Sequence, residues 1–156
     1  MTRVNFYSLR LVKEDGGLYD VPELNCPQAV HKAAREILLL HEKPEEHFCI
    51  ICLNAKNRIA GVHTIAIGCL NSAIVHLWEV YKAAVLNNAN SIILLHNHPS
   101  GDINPSQEDI KTTKRLVEAG EIMGINVLDH LIIGDDGYMS FREGGLMGAR
   151  WAGRSC

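Results

Sequence analysis

The feature that most constrains the fold is a short apolar run, Ile92 to Leu95, that leads directly into the histidines His96 and His98. An unbroken apolar run bounded by turn residues is typical of a strand buried on both faces. Alternate residues of a strand share a face, so the two imidazoles are expected on one side if the strand continues through them. The sequence therefore predicts two metal-competent side chains at the end of a buried strand.

The residues after this strand predict a loop and then a helix. Four turn-forming residues come first, Pro99, Gly101, Asp102 and Asn104. Pro105-Ser106 followed by acidic residues is a helix start, with Ser106 as N-cap and Asp109 in the first turn. Two histidines and a carboxylate are a typical hydrolytic zinc set, because three protein ligands leave one tetrahedral position for water. The alternative is a surface loop with a capping serine and no metal.

The spacing of these residues matches a known family motif. His-x-His, seven residues, Ser106, two residues and Asp109 resembles the JAMM metallopeptidase motif. The segment His96 to Gly101 and the later segment Asp129 to Gly134 resemble a RadC-like JAB domain, from about Val30 to Met147. The resemblance implies a JAB/MPN fold, also described as cytidine deaminase-like. It also implies a Zn²⁺-dependent peptidase with His96, His98 and Asp109 as ligands.

The family resemblance also implies two catalytic residues. Amide hydrolysis needs a group that takes a proton from water and delivers it to the leaving nitrogen, and a glutamate suits this role. Composition does not separate Glu45 from Glu46, but the resemblance selects Glu46, two residues before Phe48. By the same resemblance, the Ser106 hydroxyl helps to stabilise the oxyanion. In the Asp129-His130 pair, one side chain is expected to support the site or the core rather than to be a fourth ligand.

Composition narrows the classes of protein. A chain of 156 residues is expected to form a single domain, with an N-terminal extension over about 1–28, a flexible tail over 144–156 and no helix-hairpin-helix domain. The formal net charge of −3 gives no electrostatic sign of nucleic-acid binding. No apolar stretch is long enough for a membrane span, and the first residues do not form a signal peptide, so we expect a cytoplasmic protein.

The hydrophobic patterns predict a mixed fold. Helices are expected over 27–41, 74–88 and 107–123, strands over 48–53, 59–68, 92–95, 127–133 and 138–141, and an edge strand over 2–12. Trp78 is assigned to the core, and Cys49 and Cys52 are expected as buried thiols on opposite faces of a strand. The class is α/β or α+β, with a mixed sheet flanked by helices.

Three functions follow from these features. The leading one is a JAMM-type zinc hydrolase, a metallopeptidase or isopeptidase acting on a protein or peptide substrate that the sequence does not identify. The second is a factor associated with DNA repair, binding or cutting DNA, as the RadC label implies. The third is a non-catalytic interaction module, which the complete ligand set disfavours. The oligomeric state is left open.

Overall fold

A computed structural model describes residues 1–21, 23–68 and 75–148. Helix α1 spans Pro27–Glu36, α2 spans Leu77–Leu86 and α3 spans Gln107–Met123. The strands are β1 (His47–Leu53), β2 (Ile59–Ile67), β3 (Ser91–Asn97), β4 (Asn126–Ile133) and β5 (Tyr138–Ser140), and a short 3₁₀ helix spans Leu40–Glu42.

These strands form one mixed sheet in the order β2-β1-β3-β4-β5. Strands β3 and β4 are parallel, whereas β1 pairs antiparallel with both β2 and β3, and β4 pairs antiparallel with β5. The parallel pair is joined through α3, because parallel neighbours require a crossover connection. The predicted α+β class with a mixed sheet flanked by helices is therefore confirmed.

Helices cover both faces of the sheet. One core cluster joins β1 and β3 to α2 and α3, and includes Ile50, Leu94 and Leu116. The other joins the opposite face to α1 and includes Ile51 and Leu95. Every residue of β3 is buried, as its continuous apolar run predicts.

The cysteines of β1 confirm the expected alternation. Cys49 and Cys52 are buried free thiols, and they belong to the two different core clusters. Burial raises the pKa of Cys52 to about 12, which favours the neutral thiol. Both side chains therefore act as small core residues.

Three sequence expectations were wrong. Residues 1–20 are all exposed and no strand forms over 2–12, since no strand in the described part of the chain pairs with them. Helix α1 ends at Glu36 rather than near residue 41, because Leu39 adopts a left-handed backbone conformation with φ 49°. Trp78 is 60% exposed instead of buried; it stacks on His76 and lies under the Lys82 ammonium.

Two other expectations fall partly on residues that the structure does not describe. Residue 74, at the start of the predicted helix over 74–88, and most of the predicted tail over 144–156 lie outside the described ranges. Val75 and His76 are described and are not helical, so that helix begins at Leu77. Within the described ranges, no helix is long and apolar enough to cross a lipid bilayer.

Candidate metal centre

The end of β3 and the first turn of α3 bring two histidines and one carboxylate together. His96 lies on β3, His98 follows it directly, and Asp109 lies in the first turn of α3. One ligand atom from each of the three lies within 4.8 Å of the other two. The convergence of these residues, predicted from their spacing, is therefore present in the fold.

The distances between these ligand atoms suit a small cation. The two Nε2 atoms are 2.9 Å apart, His96 Nε2 lies 3.4 Å from Asp109 Oδ1, and His98 Nε2 lies 3.7 Å from Asp109 Oδ2. Tetrahedral ligands at about 2.0–2.1 Å from zinc lie roughly 3.3 Å from one another. The three side chains thus fit a zinc ion without a large rearrangement.

The orientation of His98 supports the same conclusion. Its Nδ1 lies 2.6 Å from the carbonyl oxygen of Asp102, which can only accept a hydrogen bond. Nδ1 therefore carries the proton, and in the neutral ring Nε2 presents a lone pair towards the other ligands. Asp102 also forms the expected turn, since its Oδ1 accepts from the backbone and side-chain N–H groups of Asn104.

The pKa values of His96, His98 and Asp109 are shifted in different directions. Burial lowers the pKa of His96, which favours its neutral, metal-binding form. The hydrogen bond to Asp109 is the main reason that the pKa of His98 is raised, against the effect of burial. Burial alone would raise the pKa of Asp109, but the two neighbouring histidines and the Ser106 N–H keep that pKa below its ordinary value. Asp109 is therefore an anion facing two imidazoles, an arrangement that attracts a cation.

Ser106 and Asp109 form a capping box at the start of α3. The Ser106 hydroxyl accepts the Asp109 N–H at 3.1 Å, and Asp109 Oδ2 accepts the Ser106 N–H at 2.7 Å. The predicted N-cap is confirmed. Because Ser106 N–H holds Oδ2, the cap also fixes the carboxylate that faces the histidines.

Glu46 lies just before β1 and shares a cleft with the candidate ligands. The cleft has a volume of about 440 Å³ and is lined by Glu46, His98, Ser106 and Asp109, with parts of the loop between them. The neighbouring Glu45 is exposed and does not line it. This placement favours Glu46 over Glu45, while its role as a base stays a prediction. A larger cleft of about 900 Å³ lies beside residues 15–21, Glu23 and β2, and none of the candidate metal ligands lines it.

Asn97 is a residue whose importance the sequence reasoning missed. Its Oδ1 accepts the His47 N–H at 2.8 Å, and its Nδ2 donates to the carbonyls of Glu45 at 3.0 Å and Lys43 at 3.3 Å. It thereby fixes the segment that carries Glu46. A signal was available, because the middle residue of His-x-His faces the opposite side of the strand, and a buried amide there needs partners.

His130 lies directly behind His96. The Nδ1 of His96 is 2.7 Å from His130 Nε2, and the His130 ring packs between Phe48 and Phe141. Asp129 belongs to a separate network, in which it accepts from the Ser140 hydroxyl and the Arg142 N–H. Neither residue of the Asp129-His130 pair belongs to the three-residue ligand cluster.

The fold and the site define a domain with a candidate metal centre where a buried strand of a mixed sheet meets a helix N-terminus. The model of the family described as "RadC-like JAB domain" matches residues 24–146. The chain therefore belongs to the RadC-like JAB domain family.

Curated relatives agree with this assignment. A UPF0758 protein of Desulfitobacterium hafniense is 48% identical over 127 residues, which are 81% of this chain and 55% of that protein. A UPF0758 protein of Caldanaerobacter subterraneus is 59% identical over 101 residues, 65% of this chain and 43% of that protein. The chain spans about half the length of the curated relatives it matches.

Proposed function

We propose that this protein is a zinc-dependent hydrolase of the JAMM type that cleaves peptide or isopeptide bonds. The observation that carries the proposal is the cluster of His96, His98 and Asp109, of which His98 and Asp109 line a cleft that also contains Glu46 and Ser106. A bound zinc ion would lower the pKa of a coordinated water to about 7 and polarise the substrate carbonyl.

Each side chain of the cleft has a defined task in this proposal. His96, His98 and Asp109 would hold the ion. The Glu46 carboxylate takes a proton from the attacking water and delivers it to the leaving nitrogen. The Ser106 hydroxyl already accepts the Asp109 N–H, so its own proton is available for the oxygen of the tetrahedral intermediate. The cleft is open, which suits an extended chain of a protein or peptide substrate.

The test compares three variants for zinc content and hydrolysis. Glu46→Gln should retain one zinc per chain and lose hydrolysis, because the amide cannot accept the proton. Glu45→Gln is the matched control and should retain both, since Glu45 lies outside the cleft. His98→Ala should lose both zinc and hydrolysis. Retained hydrolysis in Glu46→Gln would contradict the assigned base.

The substrate class is tested with the zinc-loaded full chain. A panel of quenched fluorescent peptides and lysine-ε-linked isopeptides is offered beside single- and double-stranded DNA. We expect cleavage of the amide substrates only, with no retention of DNA even at low salt, where phosphate contacts are strongest. Cleavage of DNA with intact peptides would favour the nuclease alternative. A protein that takes up no zinc would favour a non-catalytic module.

A further inference from the structure

His130, which lies behind His96, is itself held by the side chain of Thr113. Thr113 Oγ1 lies 2.6 Å from the Asp109 carbonyl oxygen and 2.6 Å from His130 Nδ1, and His130 Nε2 lies 2.7 Å from His96 Nδ1. All three side chains, Thr113, His130 and His96, are buried. We propose that Thr113 and His130 are positioning residues that keep the His96 proton on Nδ1 and so leave its Nε2 free to bind the metal.

The direction of each hydrogen bond follows from the chemistry of the groups. The Asp109 carbonyl oxygen can only accept, so the single hydroxyl proton of Thr113 is donated to it. The Thr113 oxygen must then accept from His130, which places the proton of that ring on Nδ1. In the neutral ring Nε2 is the acceptor, and His96 Nδ1 donates to it.

The surroundings of His130 maintain the neutral ring. The imidazole packs between the rings of Phe48 and Phe141 and is buried. Desolvation by apolar neighbours disfavours a charged imidazolium. A charged His130 would donate from both nitrogens, and His96 would then carry its proton on Nε2, the atom that faces Asp109.

This arrangement makes the metal site depend on a side chain that does not touch it. Histidine ligands usually donate their second N–H to a carboxylate or a carbonyl, groups that accept in any state. Here the acceptor is another imidazole, which would become a donor if its proton lay on Nε2. Thr113 prevents this reversal, and because it lies one turn after Asp109 on α3, the same helix supplies a ligand and sets the proton position of another.

The first measurement is made on the metal-free full chain, labelled with ¹⁵N at histidine. Long-range ¹H–¹⁵N correlation spectra distinguish the two neutral tautomers of each ring. We expect His96 and His130 both to carry the proton on Nδ1. A His96 ring with its proton on Nε2 would overturn the proposal, whether or not the protein hydrolyses any substrate.

The second measurement is zinc affinity, by competition with a chromophoric chelator. Thr113→Val keeps the side-chain shape but removes the acceptor, and we expect affinity to fall about 10- to 100-fold. Thr113→Ser should restore it. Thr112→Val makes the same chemical change one residue earlier, on a partly exposed side chain, and should leave affinity unchanged.

The two measurements separate this inference from the proposed function on which it partly rests. If wild-type protein binds zinc but Thr113→Val binds it equally well, the positioning role fails while the metal site stands. If wild-type protein binds no zinc, the proposed function fails and the tautomer spectra still decide the proton positions. A Thr113→Val variant that does not fold leaves the wild-type spectra as the deciding observation.

Discussion

Substitution of Ser106 separates two roles that one hydroxyl is expected to combine. As N-cap it accepts the Asp109 N–H, and in the proposed mechanism it donates to the oxyanion. Ser106→Ala removes both. Loss of a serine cap costs about 1 kcal/mol, and for a chain of this size each kcal/mol lowers Tm by roughly 2–4 °C.

Ser106→Gly provides the matched comparison. Glycine at an N-cap costs only a few tenths of a kcal/mol relative to serine, although it has no hydroxyl. We therefore expect the Ala variant to lose about 2–4 °C in Tm, while the Gly variant stays close to wild type. Hydrolysis should fall by about 10²- to 10³-fold in both variants, the usual cost of losing one oxyanion donor.

The assay uses thermal unfolding of metal-free protein, so that zinc does not add to stability, and initial rates of the zinc-loaded protein. Ser106→Thr keeps a hydroxyl cap and should keep both properties. If Ser106→Gly hydrolyses substrate at the wild-type rate, the oxyanion role is wrong. If Ser106→Ala unfolds at the wild-type temperature, the hydroxyl contributes no capping energy and the stability argument fails.

Three further predictions test the scaffold. Gly134→Ala would place its Cβ 2.6 Å from the carbonyl oxygen of Gly101, in the loop between β3 and α3. We therefore expect roughly 1–3 kcal/mol lower stability and weaker zinc binding by titration. Gly137→Ala meets no atom of the described residues within 4 Å and should be neutral. Asn97→Ala removes three hydrogen bonds and should lower the free energy of unfolding, measured in urea, by roughly 2–4 kcal/mol. An unchanged midpoint would contradict the role of Asn97 in fixing the segment that carries Glu46. Burial raises the pKa of Tyr81 to about 12, so the folded state keeps a proton that the unfolded state loses from about pH 10. The free energy of unfolding should therefore fall by about 1.4 kcal/mol per pH unit up to about pH 12. Alkaline denaturation of Tyr81→Phe should lack this component.

Neighbouring residues were sufficient to predict an element where their types strongly prefer one secondary structure. The apolar run before His96 predicted a buried strand, and Pro105-Ser106 with Asp109 predicted a helix start, because capping depends on neighbours within four residues. The element order and the mixed sheet followed from hydrophobic periodicity and turn residues. Trp78 was misassigned because its helix is apolar on more than one face, so periodicity could not identify the face that packs on the sheet.

Other features were decided only by tertiary contacts. The placement of Glu46 beside His98, fixed by the bonds of Asn97 to the chain before β1, joins residues about fifty positions apart. The contact of His130 with His96 depends on the parallel register of β3 and β4. Sequence spacing gives the candidate ligands, since they lie within fourteen residues. The groups that orient them come largely from distant segments, which the pairing of β3 with β1 and β4 and the packing of the sheet against α3 bring together.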